Sequence, residues 1–249
     1  MQIAPADIDP AASALFLDVD GTLLELESRP GDVRADPVLI RLLQALESRL
    51  DGALCLVSGR PVADIDRIFA PVRFPAAGAH GGELRVADGA PVDTLDAPLP
   101  RTVTERLAAF VAEHEGLLLE TKSAGAALHY RNAPALENAC RSLLAELGPD
   151  IGDEHRLIDG KMVLELAPRD QTKGEAIRKM LHHVPFRGRR PVFVGDDVTD
   201  EDGFRAVNAL AGIAVRVGGD DPTAARYRLP DVAAVRAWLE AIAGAPDSQ

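Results

Sequence analysis

Apolar residues along this chain fall into two kinds of run. Some are short and nearly unbroken: Ala14-Leu15-Phe16-Leu17, Ala53-Leu54-Cys55-Leu56-Val57, Pro191-Val192-Phe193-Val194 and Ile213-Ala214-Val215-Arg216-Val217. Runs of this length, bounded by turn residues, read as buried strands. Others recur at helical spacing. Val38, Leu42, Leu43 and Leu46 follow Asp36-Pro37, with Asp as N-cap and Pro at the first helical position. A second helical pattern follows Pro61. A third runs from the capping box Thr172/Glu175 to about His183, and an amphipathic helix around Trp238 closes the chain. The stretch from Phe74 to Glu83 reads as a short strand entering a glycine-rich turn. Strands alternating with helices predict an α/β fold with a parallel sheet covered by helices.

Between about Asp93 and Asp170 the pattern changes. A Pro-rich linker, Thr94 to Pro100, leads to a helix from about Thr102 to His114 and strands at Leu117–Lys122 and Ala126–Arg131. A helix at about Ala135–Leu147 follows. Then comes a hairpin, His155–Ile158 and Lys161–Leu166, expected to turn at Asp159-Gly160. This unit reads as α+β, with helices on one side of an antiparallel sheet. The expected division is residues 1–98 and 170–249 for the α/β part, with 99–169 inserted. The linkers near Ala97–Arg101 and Ala167–Gln171 are expected to permit movement between the two.

The chain has 249 residues, 47% of them hydrophobic and 27% charged, with a net charge of −12. That balance suits a globular protein and argues against nucleic acid or an acidic membrane surface as partner. Cys55 and Cys140 lie far apart without metal-type spacing, which predicts buried thiols in a reducing compartment. The first ten residues have no cationic start or apolar core of signal-peptide length, and no apolar run is long enough to span a bilayer. A cytoplasmic location is the resulting expectation.

The ends of the strands carry the chemistry. The first ends in Asp18 and Asp20, the second in Ser58-Gly59, the later one in Asp196, Asp197 and Asp200. In a parallel sheet these ends share one edge, where ligands of open α/β sheets bind. Lys173 begins a helix, where free backbone N–H groups already favour an anion. Acid cluster, hydroxyl with glycine, lysine and a second acid cluster together suit Mg²⁺ and a phosphoryl group.

Asp18-Val19-Asp20-Gly21-Thr22, Ser58, Lys173 and Gly195-Asp196-Asp197-Val198-Thr199-Asp200 resemble the four ordered motifs of the haloacid dehalogenase (HAD) superfamily of phosphatases. The inserted unit falls where that superfamily places its larger cap domains. The fold implied is a Rossmann-like HAD core with an inserted α+β cap. His80-Gly81-Gly82-Glu83, Lys122, Ala127–Arg131, Gly160–Glu165 and Pro168–Glu175 are similar, more closely, to trehalose-6-phosphate phosphatases, a likeness running from about Ala14 to Trp238.

The resemblance implies hydrolysis of trehalose 6-phosphate, the last step of trehalose biosynthesis. Asp18 would attack phosphorus and form an aspartyl-phosphate; Asp20 would protonate the departing sugar oxygen, then deprotonate the attacking water. Mg²⁺ would be held by Asp18, Asp196 and the backbone carbonyl of Asp20, with Asp197 or Asp200 orienting its waters. Ser58, Gly59 and Lys173 would bind the phosphoryl oxygens. Strand alternation puts His129 and Arg131 on one face of the cap sheet, and Lys161 and Glu165 likewise, with Lys122 able to join them. Lys122, His129, Arg131 and Glu165 are thus expected to contact the sugar, and Arg60, His80 and Glu83 to join the substrate site. Simpler readings compete. The cap charges are also what a solvated sheet face carries, Arg60 and Arg131 are also placed to pair with acids, and Asp197 is also placed to cap a turn. The competing functions are another capped sugar phosphatase, acting on sucrose-phosphate or mannosyl-phosphoglycerate, and a non-catalytic phosphosugar sensor or phosphate-carrying receiver domain.

Overall fold

A computed structural model describes residues 8–25, 33–94, 97–121, 124–160 and 162–244, with the backbone alone at 2, 3 and 122. Two compact units emerge, Met1–Thr94 with Thr172–Gln249, and Leu95–Gln171. The first unit opens with β1 (Gln2–Ile3), β2 (Ser13–Asp18), α1 (Pro37–Arg49), β3 (Leu54–Val57), α2 (Val62–Phe69), β4 (Ala76–Gly78), β5 (Glu83–Arg85) and β6 (Asp93–Thr94). The second holds α3 (Arg101–Glu113), β7 (Leu118–Lys122), β8 (Gly125–His129), α4 (Glu137–Ile151), β9 (His155–Gly160) and β10 (Val163–Pro168). The chain then completes the first unit with α5 (Lys173–Met180), β11 (Arg190–Gly195), α6 (Glu201–Ala209), β12 (Ile213–Val217), β13 (Tyr227–Leu229) and α7 (Val232–Gly244).

The large sheet has the order β1-β13-β12-β11-β2-β3-β4-β5-β6. Its strands pair in parallel from β1 to β4, and β5 and β6 add antiparallel at one edge. Every residue of β2 and β3 is buried, because helices cover both faces of the sheet; this is why the sequence runs there do not alternate. From the centre, β2→β3→β4 proceeds to one side and β11→β12→β13 to the other. The order therefore reverses between β2 and β11, and a crevice forms beyond their carboxyl ends.

Local chemistry explains the helix start at α1. Asp36 Oδ1 accepts the backbone N–H groups of Val38 and Leu39, both at 2.9 Å. The buried face of α1 is Leu39, Ile40, Leu43 and Leu46, whereas Val38 is 58% exposed. Of the expected face, Leu43 and Leu46 are buried and Leu42 half-buried; only Val38, in the first turn beside the cap, faces outward, and Leu39 and Ile40 take its place.

In the second unit the sheet order is β7-β8-β10-β9, all antiparallel. Leu128, Tyr130, Leu164 and Leu166 pack with Val103, Leu107, Cys140 and Leu147 from the helices. The hairpin turn differs from expectation. Gly160 pairs with Val163 and Asp159 with Leu164, so both lie within the ladder and the chain reverses after Gly160; Met162 has φ 64°. Asp159 instead lies within β9, where the guanidinium of Arg141 donates to Oδ1 at 2.6 Å and Oδ2 at 3.1 Å. Cys55 and Cys140 are both buried and unpaired. Among the described residues, no helix is long and apolar enough to cross a membrane. The loop expected from Glu25 to Arg34 and residue Lys161 lie largely or wholly outside the described residues.

Candidate active site

Asp18 is the last residue of β2 and is 3% exposed. Two residues later the chain turns at Gly21, φ +79°, whose N–H donates to Leu24 O at 2.7 Å. A Cβ on Gly21 would lie 2.1 Å from Asp196 Oδ2. Only glycine satisfies both the left-handed backbone and this approach, which lets the acid beyond β11 press against the turn beyond β2. Thr22 Oγ1 donates to Asp196 Oδ1 at 3.3 Å.

Lys173 is the first residue of α5, whose N-cap Thr172 accepts the Glu175 N–H at 3.1 Å. Its Nζ donates to Asp18 Oδ1 at 2.6 Å and to Asp200 Oδ1 at 2.5 Å. Asp200 is fully buried, and its Oδ2 accepts the backbone N–H groups of Asp196 at 2.9 Å and Asp197 at 2.8 Å. One carboxylate thus fixes both the lysine and the loop that carries Asp196. The turn 198–200 is closed by the Asp197 carbonyl, which accepts the Asp200 N–H at 3.1 Å.

Burial pushes the Asp18 carboxyl well above the usual carboxylate range; Lys173 pulls it down, while Asp200 and Asp196 push it up. Asp196 is raised by burial and by Asp200. Burial favours loss of the Lys173 proton, yet Asp18 and Asp200 outweigh it and hold the ammonium above its ordinary range. One ammonium therefore faces three acids. The ligand atoms of Asp18, Asp196 and Asp200 all lie within 4.8 Å of one another. Clustered oxygen donors with a deficit of positive charge fit a hard divalent cation. Asp200 already accepts three hydrogen bonds, so Asp18 and Asp196 are the acids with capacity to bind one.

The loop after β3 supplies the opposite wall. Ser58 is 1% exposed and its Oγ accepts the Arg60 N–H at 3.1 Å. The turn after β4 braces this loop. The Ala79 N–H donates to Arg60 O at 2.8 Å, and the His80 N–H to Ser58 O at 3.0 Å. Ala79 and His80 hold left-handed φ values of 49° and 54°, uncommon for residues with a side chain and a mark of strain kept at a site. A Cβ on Gly59 would lie 2.6 Å from His80 Cε1, so the imidazole rests directly on the Gly59 backbone. Arg60 reaches across to Asp20, with Nε to Oδ2 and Nη2 to Oδ1, each at 2.7 Å. A cavity of about 570 Å³ is lined by Asp18, Asp20, Ser58, Arg60, His80 and Lys173 among others.

Asp18, Asp20, Ser58, Gly59, Arg60, His80, Lys173, Asp196 and Asp197 thus line one cavity in the first unit, with Asp200 buried behind it. Glu83 is engaged elsewhere. Its Oε2 accepts the Val62 N–H at 2.7 Å, a carboxylate at the start of α2 where no cap side chain is present. In the second unit, His129 Nε2 lies 3.0 Å from Glu120 Oε2, Glu165 is half-buried opposite Ala127, and Arg131 is exposed. The Lys122 side chain lies outside the described atoms. Sequence reasoning missed Glu120, although alternation along β7 places it on the same face as Lys122. It placed Thr22 in the first motif without a role of its own; the bond from its buried hydroxyl to Asp196 spans 174 residues and has no local signal.

A switch-point cluster of acids and lysine on a parallel sheet, in a chain interrupted by an α+β insertion, is an arrangement suited to an enzyme of phosphoryl transfer. In fold the chain matches a phosphatase of the haloalkanoate (HAD) superfamily from Bacteroides thetaiotaomicron, with a TM-score of 0.65 over 92% of this chain and 93% of that one; at 16% identity this likeness concerns fold alone. Sequence carries the assignment further. The family model for trehalose-phosphatase matches residues 16–233. The trehalose-6-phosphate phosphatase of Escherichia coli K12 is 41% identical over 233 residues, covering 93% of this chain and 87% of the relative. A crystal structure described as a trehalose-6-phosphate phosphatase related protein is 27% identical, with a TM-score of 0.70 over 93% of this chain and 97% of that one. The chain belongs to the trehalose-phosphatase family of phosphoric monoester hydrolases.

Proposed function

We propose that this protein hydrolyses trehalose 6-phosphate to trehalose and inorganic phosphate through an aspartyl-phosphate on Asp18. The observation that carries the reading is the Lys173 bridge. It holds Asp18 in the wall of the cavity with Oδ1 fixed by the ammonium, and the second oxygen is assigned the attack on phosphorus. As the Asp18–phosphorus bond forms, the bond from phosphorus to the sugar oxygen breaks, and Asp20 gives that oxygen its proton. Asp20 then takes a proton from water as the water oxygen attacks phosphorus and the Asp18 carboxylate is released. Ser58, the Gly59 N–H and Lys173 hold the phosphoryl oxygens.

Mg²⁺ would be held by Asp18, Asp196 and the backbone carbonyl of Asp20; bound there, it offsets charge on an anionic substrate meeting anionic side chains. The polar groups of the second unit's sheet, Lys122, His129, Arg131 and Glu165, are assigned to the sugar. Their support is residue type: charged hydrogen-bonding groups suit the hydroxyls of a disaccharide.

Phosphate release across a panel of sugar phosphates tests this, with and without Mg²⁺. Trehalose 6-phosphate should be cleaved far faster than glucose 6-phosphate, sucrose-phosphate or mannosyl-phosphoglycerate, and chelation should stop it. Equal rates across the panel would remove the substrate assignment. Asp18→Asn should abolish turnover with the circular dichroism spectrum unchanged; an active variant would remove the nucleophile assignment.

A further inference from the structure

The acid–base group is not at liberty. Both oxygens of Asp20 accept from one guanidinium, Arg60 Nε and Nη2, at 2.7 Å each. The side chains are 14% exposed for Arg60 and 26% for Asp20, so water screens the pair only partly. Arg60 is also aimed by its backbone, with its N–H on Ser58 Oγ and its carbonyl accepting from Ala79. Asp64, on the first turn of α2 and in the same cavity, adds a second negative charge that favours the guanidinium. A carboxylate held by a two-pronged donor has a fixed plane, so Asp20 is aimed as well as bound.

We infer that Arg60 is a positioning residue that docks Asp20 on the Ser58–Arg60 loop and acts on the reaction through Asp20, without gripping the phosphoryl group. The inference rests on the aspartyl-phosphate mechanism proposed above, with Asp20 as proton donor and then acceptor. Its consequence depends on the leaving group. An alkyl sugar oxygen needs a proton to depart and so senses how Asp20 is placed. A nitrophenolate departs without one. Hydrolysis of the aspartyl-phosphate needs Asp20 whichever ester was used.

The test compares Arg60→Gln and Arg60→Lys with the parent on trehalose 6-phosphate and p-nitrophenyl phosphate, by steady-state and rapid-mixing kinetics with Mg²⁺. General acid–base placement of this kind is expected to cost about 10- to 100-fold in kcat for the sugar ester, with KM changed less than about threefold. On the aryl ester both variants should release a burst of nitrophenolate at the parental rate, then stall with phosphate retained on the protein. Arg60→Lys keeps the charge but cannot form the fork, and should behave like Arg60→Gln; it carries the test if the glutamine variant folds poorly. In an Asp20→Asn background, Arg60→Gln should leave the burst rate unaltered. A KM raised alike for both esters would put Arg60 on the phosphate and overturn the inference, as would full kcat on the sugar ester in Arg60→Lys. Those results leave the mechanism standing. A parent enzyme that never carries phosphate on Asp18 would sink the mechanism itself, and this inference with it.

Discussion

Replacing Lys173 with methionine keeps the volume of the side chain and removes the ammonium that two buried carboxylates share. The Lys173, Asp18 and Asp200 side chains are 4%, 5% and 0% exposed, so water cannot take its place. Breaking a buried pair from one side typically costs about 3–5 kcal/mol, and the upper half of that range is expected here because two bonded acids lose one partner. For a chain of this size that corresponds to a fall in Tm of roughly 8–20 °C. The orphaned acids can escape only by binding protons, which sets the pH dependence. Burial already raises Asp18 above its ordinary value of 3.8, and loss of Lys173 raises it further. A carboxyl raised on folding favours the folded state while protonated. That contribution is complete below the unfolded value and disappears as pH climbs through the folded one. The variant should therefore lie close to the parent near pH 4 and fall progressively behind it through neutrality. Urea titrations followed by circular dichroism, in chelator at pH 4.5 and pH 8, measure this. Added Mg²⁺ should recover part of the loss at pH 8. A difference between variant and parent below about 1 kcal/mol at pH 8, or one that shrinks as pH rises, would refute the electrostatic account of this cluster.

Gly21→Ala should reduce turnover at least about 100-fold with secondary structure intact, because the new methyl occupies the space of the Asp196 carboxylate. Phosphate release and circular dichroism on one preparation would show it. Asp36→Ala should cost about 1 kcal/mol at pH 7 through loss of the α1 cap, and the partly exposed Arg236 pair should add little. The Asp36 carboxyl is held below its ordinary value, chiefly by the Leu39 N–H, so its contribution is present above the unfolded pKa and lost as pH falls through the folded one. Melting curves of variant and parent should separate at pH 7 and converge in strong acid.

Much of the core was legible because its signals are local. A short apolar run followed by acids marks a strand end, and Thr172 with Glu175 marks a helix start; neither depends on distant residues. Their convergence followed from one rule about parallel sheets, and Lys173 does meet Asp18 from 155 residues away. Where the sequence misled, a partner outside the motif decided. Asp159-Gly160 carries a turn signature, but pairing with β10 continues through Gly160. Glu83 looks like a site residue in a glycine-rich turn, but α2 lacks its own cap and takes that carboxylate. Arg60 was legible as either a substrate contact or half of an ion pair, and only coordinates show both Asp20 oxygens in its fork. Strands β1, β5, β6 and β13 were missed because pieces of two or three residues leave no periodicity to read.

The pairing of β2 with β11 has a bearing on biosynthesis. When a ribosome has delivered the first 170 residues, the nucleophile and the Ser58 loop exist, yet the ammonium and Asp196 are still untranslated. The central strand must wait for its neighbour with one edge unpaired and Asp18 still wet. Competence to handle phosphate thus arrives at a single late moment of synthesis. A polypeptide cut in the second linker should be inert as either piece alone and should regain function only when both are mixed.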